Sequence, residues 1–231
     1  MINITLPETA TTRKLSFFLA MEEFVARQQL ADDAFFLWQV EPSVIYGRNQ
    51  VVENEVNIDY CQAHGIQLFQ RKSGGGCVYA DRDNLMLSYI TKEEQVGFAF
   101  NRFINMVLLV LRKMGVEATG TRHNDIMIGD RKVCGTACRK TTDGCIVHST
   151  MLYDTNMQHM LQAITPSQQK LAKNGVESVR QRITLLKDYT SLSLEEVKTL
   201  IIRTLCNSER MLTVEEIAQI EQIEELYNQK Q

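Results

Sequence analysis

Apolar positions recur along this chain with two spacings, and the switches between them mark its elements. Residues 13–28 place Leu15, Phe18, Leu19, Glu22 and Val25 near helical spacing, which predicts a first helix. The clearest helical stripe runs over residues 97–114. There Phe100, Phe103, Ile104, Val107, Leu108 and Leu111 share one face, and Gly115 supplies the stop. That stripe predicts a buried core helix that carries no chemistry. A short helix over 59–64 stops at Gly65, and residues 156 onward turn helical. Residues 194–206 and 214–228 close the chain as helices, opened by capping boxes of Ser193 with Glu196 and Thr213 with Glu216. The last helix carries Glu215, Glu216, Glu221, Glu224 and Glu225, which read as a solvated face.

The strand signals are shorter. Residues 34–40 are rich in aromatic and β-forming side chains, and 43–46 lie between Pro42 and Gly47. Residues 67–70 and 84–90 flank a glycine loop. Residues 126–128 and 132–139 form a predicted hairpin across Gly129-Asp130-Arg131, and 145–153 follow as a further strand. Strands interleaved with helices over the first two-thirds predict an α/β (α+β) fold, with a mixed central β-sheet flanked by helices. No repeat, low-complexity tract or Pro/Gly-rich linker divides the chain, so residues 1–231 are expected to form one domain.

Composition narrows the function. With 231 residues and a net charge of −3, the chain offers no concentrated basic face, so no nucleic acid partner is expected. The N-terminus lacks the basic-then-apolar layout of an export signal. The most apolar stretch, 98–111, is interrupted by Asn101, Arg102 and Asn105, and is too short to span a bilayer. A cytoplasmic protein without a membrane partner is expected. Its six cysteines then read as reduced thiols.

Three stretches carry candidate chemistry. In residues 70–81 (Gln-Arg-Lys-Ser-Gly-Gly-Gly-Cys-Val-Tyr-Ala-Asp) three glycines follow a basic pair, Arg71 and Lys72. Unshielded backbone N–H groups beside fixed positive charge suit a carboxylate or phosphate, although a bare flexible turn has the same composition. In residues 124–140, strand alternation sends Lys132, Cys134 and Thr136 to one face. An inward lysine needs an anion, whereas an edge-strand lysine stands in solvent. Asp125 serves either a ligand or the turn. Residues 173–182 bring Arg180 and Arg182 to one side of an extended segment or leave them on a solvated loop.

Cys134, Cys138, Cys145 and His148 are soft metal ligands. Their C-x3-C-x6-C-x2-H spacing lacks the paired knuckles of zinc modules, so metal binding is the weaker reading. Cys134 beside Lys132 is a candidate nucleophile, against the simpler reading of a small buried residue.

These stretches resemble the lipoate–protein ligases, within the wider group that also holds biotin ligases and octanoyl transferases. The resemblance rests on residues 44–50 (Val-Ile-Tyr-Gly-Arg-Asn-Gln), 71–81, Asn124-Asp125, 129–137, 148–152 and 170–184, in the family's order. It implies a mixed sheet flanked by helices and a two-step reaction. Lipoate and ATP give lipoyl-adenylate and pyrophosphate. A lysine amine of an apo lipoyl domain or of H protein then takes the lipoyl group and releases AMP. ATP and Mg²⁺ are the implied cofactors.

The resemblance places Arg71, Ser73, Gly74, Gly75 and Gly76 at the lipoyl and phosphate groups. Lys132 matches the family's active-site lysine, acting as a point charge. Asn124 and Asp125 lie near the adenylate, with Asp125 facing Lys132 or Mg²⁺. Gly135, Thr136 and Ala137 pack against adenine, and His148 lines the site. Arg48, Cys77, Val78, Ser149 and Arg180 complete the binding positions, with residues 175–182 as a lid.

The chain departs from the family pattern at Gln70, Cys77, Ala80, Ser149 and Leu185. By the resemblance it is expected to lack the accessory C-terminal domain of two-domain ligases, which implies a small accessory subunit or transfer from preformed adenylate only. The alternatives are an octanoyl or lipoyl transferase using a Cys134 thioester, and a non-catalytic lipoyl-adenylate sensor. The glycine and arginine loop of biotin ligases is absent.

Overall fold

The computed structural model describes residues 1–7, 13–28, 30–122, 125–164 and 183–228. Its strands are β1 (Ile2–Thr5), β2 (Ala34–Trp38), β3 (Ser43–Tyr46), β4 (Gln67–Gln70), β5 (Val78–Ala80), β6 (Asn84–Thr91), β7 (Thr119–Gly120), β8 (Asp125–Ile128), β9 (Arg131–Thr141), β10 (Gly144–Leu152) and β11 (Ser208–Met211). Its α-helices are α1 (Leu15–Arg27), α2 (Val52–Glu55), α3 (Ile58–Ala63), α4 (Val96–Lys113), α5 (Met157–Ala163), α6 (Leu194–Leu205) and α7 (Val214–Asn228).

Eight strands form the main sheet in the order β11-β1-β2-β6-β10-β9-β8-β7, and β4-β3-β5 form a second, smaller sheet. β1 runs parallel to both β11 and β2, while β2, β6, β10, β9 and β8 pair antiparallel. The sheets are therefore mixed, as the element order predicts.

All eight residues of β6 are buried, because helices cover both faces of the sheet there. Its alternation splits the core. Met86 and Ile90 join α1, β2 and α7 on one face, and Leu85, Leu87 and Tyr89 join α4 and α6 on the other. The α4 stripe behaves as expected: Phe103, Ile104, Val107 and Leu111 are buried in the second of these clusters. A third cluster, with Val44, Cys61, Tyr79 and Ala163, lies between the small sheet and α3 and α5. Both capping boxes form, with Ser193 and Thr213 exchanging hydrogen bonds with Glu196 and Glu216.

Two expectations need correction. Helix α1 is buried from Leu15 to Ala26 rather than along one stripe, because the sheet and α7 enclose it together. The glutamates of α7 do not simply face solvent. Glu221 pairs with Arg13 at 2.7 Å, Glu224 accepts the Ser16 hydroxyl at 2.5 Å, and Glu216 pairs with Arg210. No helix is long and apolar enough to cross a membrane among the described residues.

Candidate active site

The glycine loop between β4 and β5 is braced from within. Arg71 is only 5% exposed, and its guanidinium donates to the carbonyls of Ile45 (3.0 Å), Gly74 (2.8 Å) and Gly76 (2.7 Å). Burial lowers its pKa. Among the described residues its partners are carbonyls rather than a carboxylate, so the guanidinium brings positive charge to the loop. Its role is thus first to shape the loop and then to lend charge.

Residues 44–50 form the seat for that loop. A Cβ on Gly47 would stand 2.3 Å from the Gly75 carbonyl oxygen, so only glycine permits the approach. The Tyr46 carbonyl accepts the Arg71 N–H, and the Arg48 N–H donates to the Ser73 carbonyl, both at 3.0 Å.

Between this loop and the β9–β10 hairpin lies a cavity of about 190 Å³. Leu19, Trp38, Ile45 and Met86 form its apolar wall. Lys132, Asp125 and His148 give it charged and polar groups. The Lys132 ammonium sits 2.7 Å from Asp125 Oδ1, with the lysine side chain 37% exposed. Gly135 makes room for it, since a Cβ there would stand 2.8 Å from Lys132 Nζ.

The β9 strand does not alternate simply. Ile126 pairs with Cys134 while the adjacent Met127 pairs with Lys132, which leaves Val133 as an extra residue, a β-bulge. Val133 and Cys134 both enter the core on the α4 side of the sheet. Lys132 and Cys134 therefore do not share a face, contrary to the alternation expected from sequence. Burial pushes the Cys134 thiol up to about 11, outweighing the nearby Lys132 charge and the Ser149 and Thr136 hydroxyls. A thiol so held is a poor nucleophile.

The cavity gathers Arg71, Gly75, Gly76, Cys77, Val78, Asp125, Lys132, Gly135, Thr136, Ala137, His148 and Ser149 of the expected site. Thr136 and Ser149 are cross-strand partners whose buried hydroxyls lie beside the Cys134 thiol. Burial raises the Cys77 thiol to about 12, so it stays protonated. Ser73 stands behind the wall, and Gly74 contributes its carbonyl to Arg71. Arg48 is exposed, is not part of the wall, and supports Ser73 through its main chain. Asn124, Arg180 and the expected lid lie outside the described residues.

No group of three or more His, Cys, Asp or Glu side chains that could hold a metal occurs among the described residues. Asp125 offers a single carboxylate already engaged by Lys132, which is not a ligand set for a resident Mg²⁺. His148 faces the cavity while Cys134 and Cys145 lie in the core behind the sheet, so the soft-ligand set does not converge.

Sequence reasoning missed the apolar wall and Glu22. Glu22 is 3% exposed and accepts from His148 Nδ1 at 3.0 Å. The available signal was a carboxylate in the apolar register of the first helix.

The lipoyl protein ligase A/B catalytic domain matches residues 15–206, most of the chain. The chain belongs to this family. It is 34% identical over 220 residues to lipoate–protein ligase 1 of Staphylococcus aureus, covering 92% of this chain and 66% of that protein. The chain thus spans about two thirds of that relative's length. Among solved structures, a bi-partite lipoate protein ligase from Thermoplasma acidophilum, described with its E2 lipoyl domain, is 26% identical. It matches with a TM-score of 0.84 over 97% of this chain and 91% of that one. Lipoate-protein ligase A bound with ATP is 25% identical and matches with a TM-score of 0.80 over 97% and 93%. The family's catalytic-domain fold, expected from the motifs, is the fold observed.

Proposed function

We propose that this chain activates lipoate with ATP and transfers the lipoyl group to a lysine of an apo lipoyl domain or of H protein. The observation that carries this reading is the placement of Lys132. Its ammonium, held by Asp125, stands beside an apolar-walled cavity closed by a positively charged glycine loop. The apolar wall suits an acyl chain, and the polar end suits a carboxylate that becomes an acyl phosphate. The adenosine packs against Gly135 to Ala137, which line the same cavity.

In the first step the lipoate carboxylate oxygen bonds to the α-phosphorus of ATP and pyrophosphate leaves with the electrons of the broken P–O bond. In the second the acceptor amine attacks the acyl carbonyl, loses a proton, and expels AMP. Negative charge grows on the phosphoryl oxygens in one step and on the carbonyl oxygen in the other. A fixed ammonium serves both without becoming covalently attached. The structure offers little support to a Cys134 thioester, because that thiol lies behind the sheet.

Lipoate-dependent exchange of labelled pyrophosphate into ATP tests the reading. Exchange that requires lipoate supports activation by this chain. No exchange, with transfer from synthetic lipoyl-adenylate intact, assigns activation to an accessory polypeptide. Failure of both overturns the proposal.

A further inference from the structure

Beneath the cavity wall runs a chain of hydrogen bonds that the two steps above leave unused. Trp38 Nε1 donates to Ser88 Oγ at 2.8 Å, and Ser88 Oγ donates to Glu22 Oε1 at 2.6 Å. Glu22 Oε2 lies 3.0 Å from His148 Nδ1, and His148 Nε2 lies 2.7 Å from Ser73 Oγ. The chain spans α1, β2, β6, β10 and the glycine loop.

We infer that Glu22 is a positioning residue of the ligase reaction, acting through His148 and Ser73 on the glycine loop. This inference rests on the ligase reading for its kinetic consequence, not for its geometry.

The direction of each bond follows from the atoms. An ionised carboxylate only accepts, so Nδ1 of His148 carries the proton. In the neutral ring Nε2 is then an acceptor, so Ser73 donates its hydroxyl proton to it. Ser73 is thereby fixed from two sides, because its carbonyl also accepts the Arg48 N–H. The glycines that follow inherit that anchorage. Both Trp38 and His148 line the cavity, so the chain joins the apolar wall to the loop that meets the acyl carboxylate.

The order Ser73–His148–Glu22 also matches a hydrolase triad. Burial argues against that use. Ser73 is 2% exposed, and neither it nor Glu22 forms part of the cavity wall. An acyl group in the cavity meets the imidazole, not the hydroxyl.

The test is carried out on the full chain, in two readouts. In ¹⁵N-resolved NMR at a pH where the ring is neutral, His148 of the wild-type protein and of Ser73→Ala is expected as the Nδ1–H tautomer, since Glu22 sets it. Glu22→Gln, whose amide both donates and accepts, is expected to lose that preference. A wild-type Nε2–H tautomer overturns the inference, whether or not the protein proves to be a ligase. In lipoate-dependent pyrophosphate exchange, Glu22→Gln and Ser73→Ala are each expected to raise the lipoate KM about threefold to tenfold with kcat nearly held. The double variant is expected to lose no more than the worse single one. Losses that multiply, or a lipoyl mass adduct on Ser73, overturn the positioning role. Wild-type protein inactive in exchange and in transfer would defeat the ligase reading instead.

Discussion

A lysine and a glycine three residues apart carry much of the proposed chemistry. The Lys132 ammonium occupies the space that a Cβ at position 135 would claim, at 2.8 Å. Gly135→Ala is therefore expected to displace the ammonium and lower lipoyl transfer about tenfold, with the fold kept. Lys132→Ala is expected to lower transfer by at least about a hundredfold while the melting temperature changes little, because the lysine is part-exposed. Wild-type transfer rates in that variant would remove Lys132 from the mechanism. Cys134→Ser should keep transfer within about threefold of wild type and lower stability instead, since it puts a hydroxyl into a buried site. Near-complete loss of rate with an intact fold would revive the thioester route. At this scale the motif stretches were visible as local patterns, but each also fitted a plain turn or edge strand, and it was their order along the chain that pointed to the family. Glu22 was not legible. Its meaning comes from His148, distant in sequence and brought near only by the fold.

At the scale of elements, one carboxylate ties four of them together. Glu23 of α1 pairs with Lys72 of the glycine loop at 2.7 Å, Arg139 of β9 at 3.2 Å and Arg27 of its own helix at 2.5 Å. It also accepts from Tyr227 of α7 at 3.3 Å, and Lys72 lies over the Tyr227 ring at 4.0 Å. Burial alone would raise the Glu23 pKa, but Lys72 and Arg139 bring it down to about 2. A folded-state pKa below the unfolded value means that the clasp adds stability above about pH 4.5, which is lost as pH falls from there toward 2. Denaturant midpoints across that window are expected to fall less steeply in Glu23→Gln than in wild type. Parallel pH profiles would contradict the clasp. Sequence placed the core of most elements within a residue or two, because helical stripes and strand runs announce themselves. It missed the Val133 bulge, which depends on a partner strand. It also missed β1 and β11, four-residue strands whose pairing joins the two ends of the chain.

Over the whole molecule, the main sheet separates two tasks. The α4 face is apolar packing, while the α1 face holds the cavity, His148 and the carboxylates of α1. The fold class was legible because strands and helices interleave. The site's location was not, since it needs the small sheet to hold its glycine loop against the large one. The most direct test of the account is the intact mass of an apo lipoyl domain after incubation with this protein. One sample holds lipoate and MgATP, and a second holds synthetic lipoyl-adenylate. The account predicts a gain of one lipoyl group in both samples and in neither with Lys132→Ala. A gain only from lipoyl-adenylate would contradict the activation half, and no gain in either would contradict the whole.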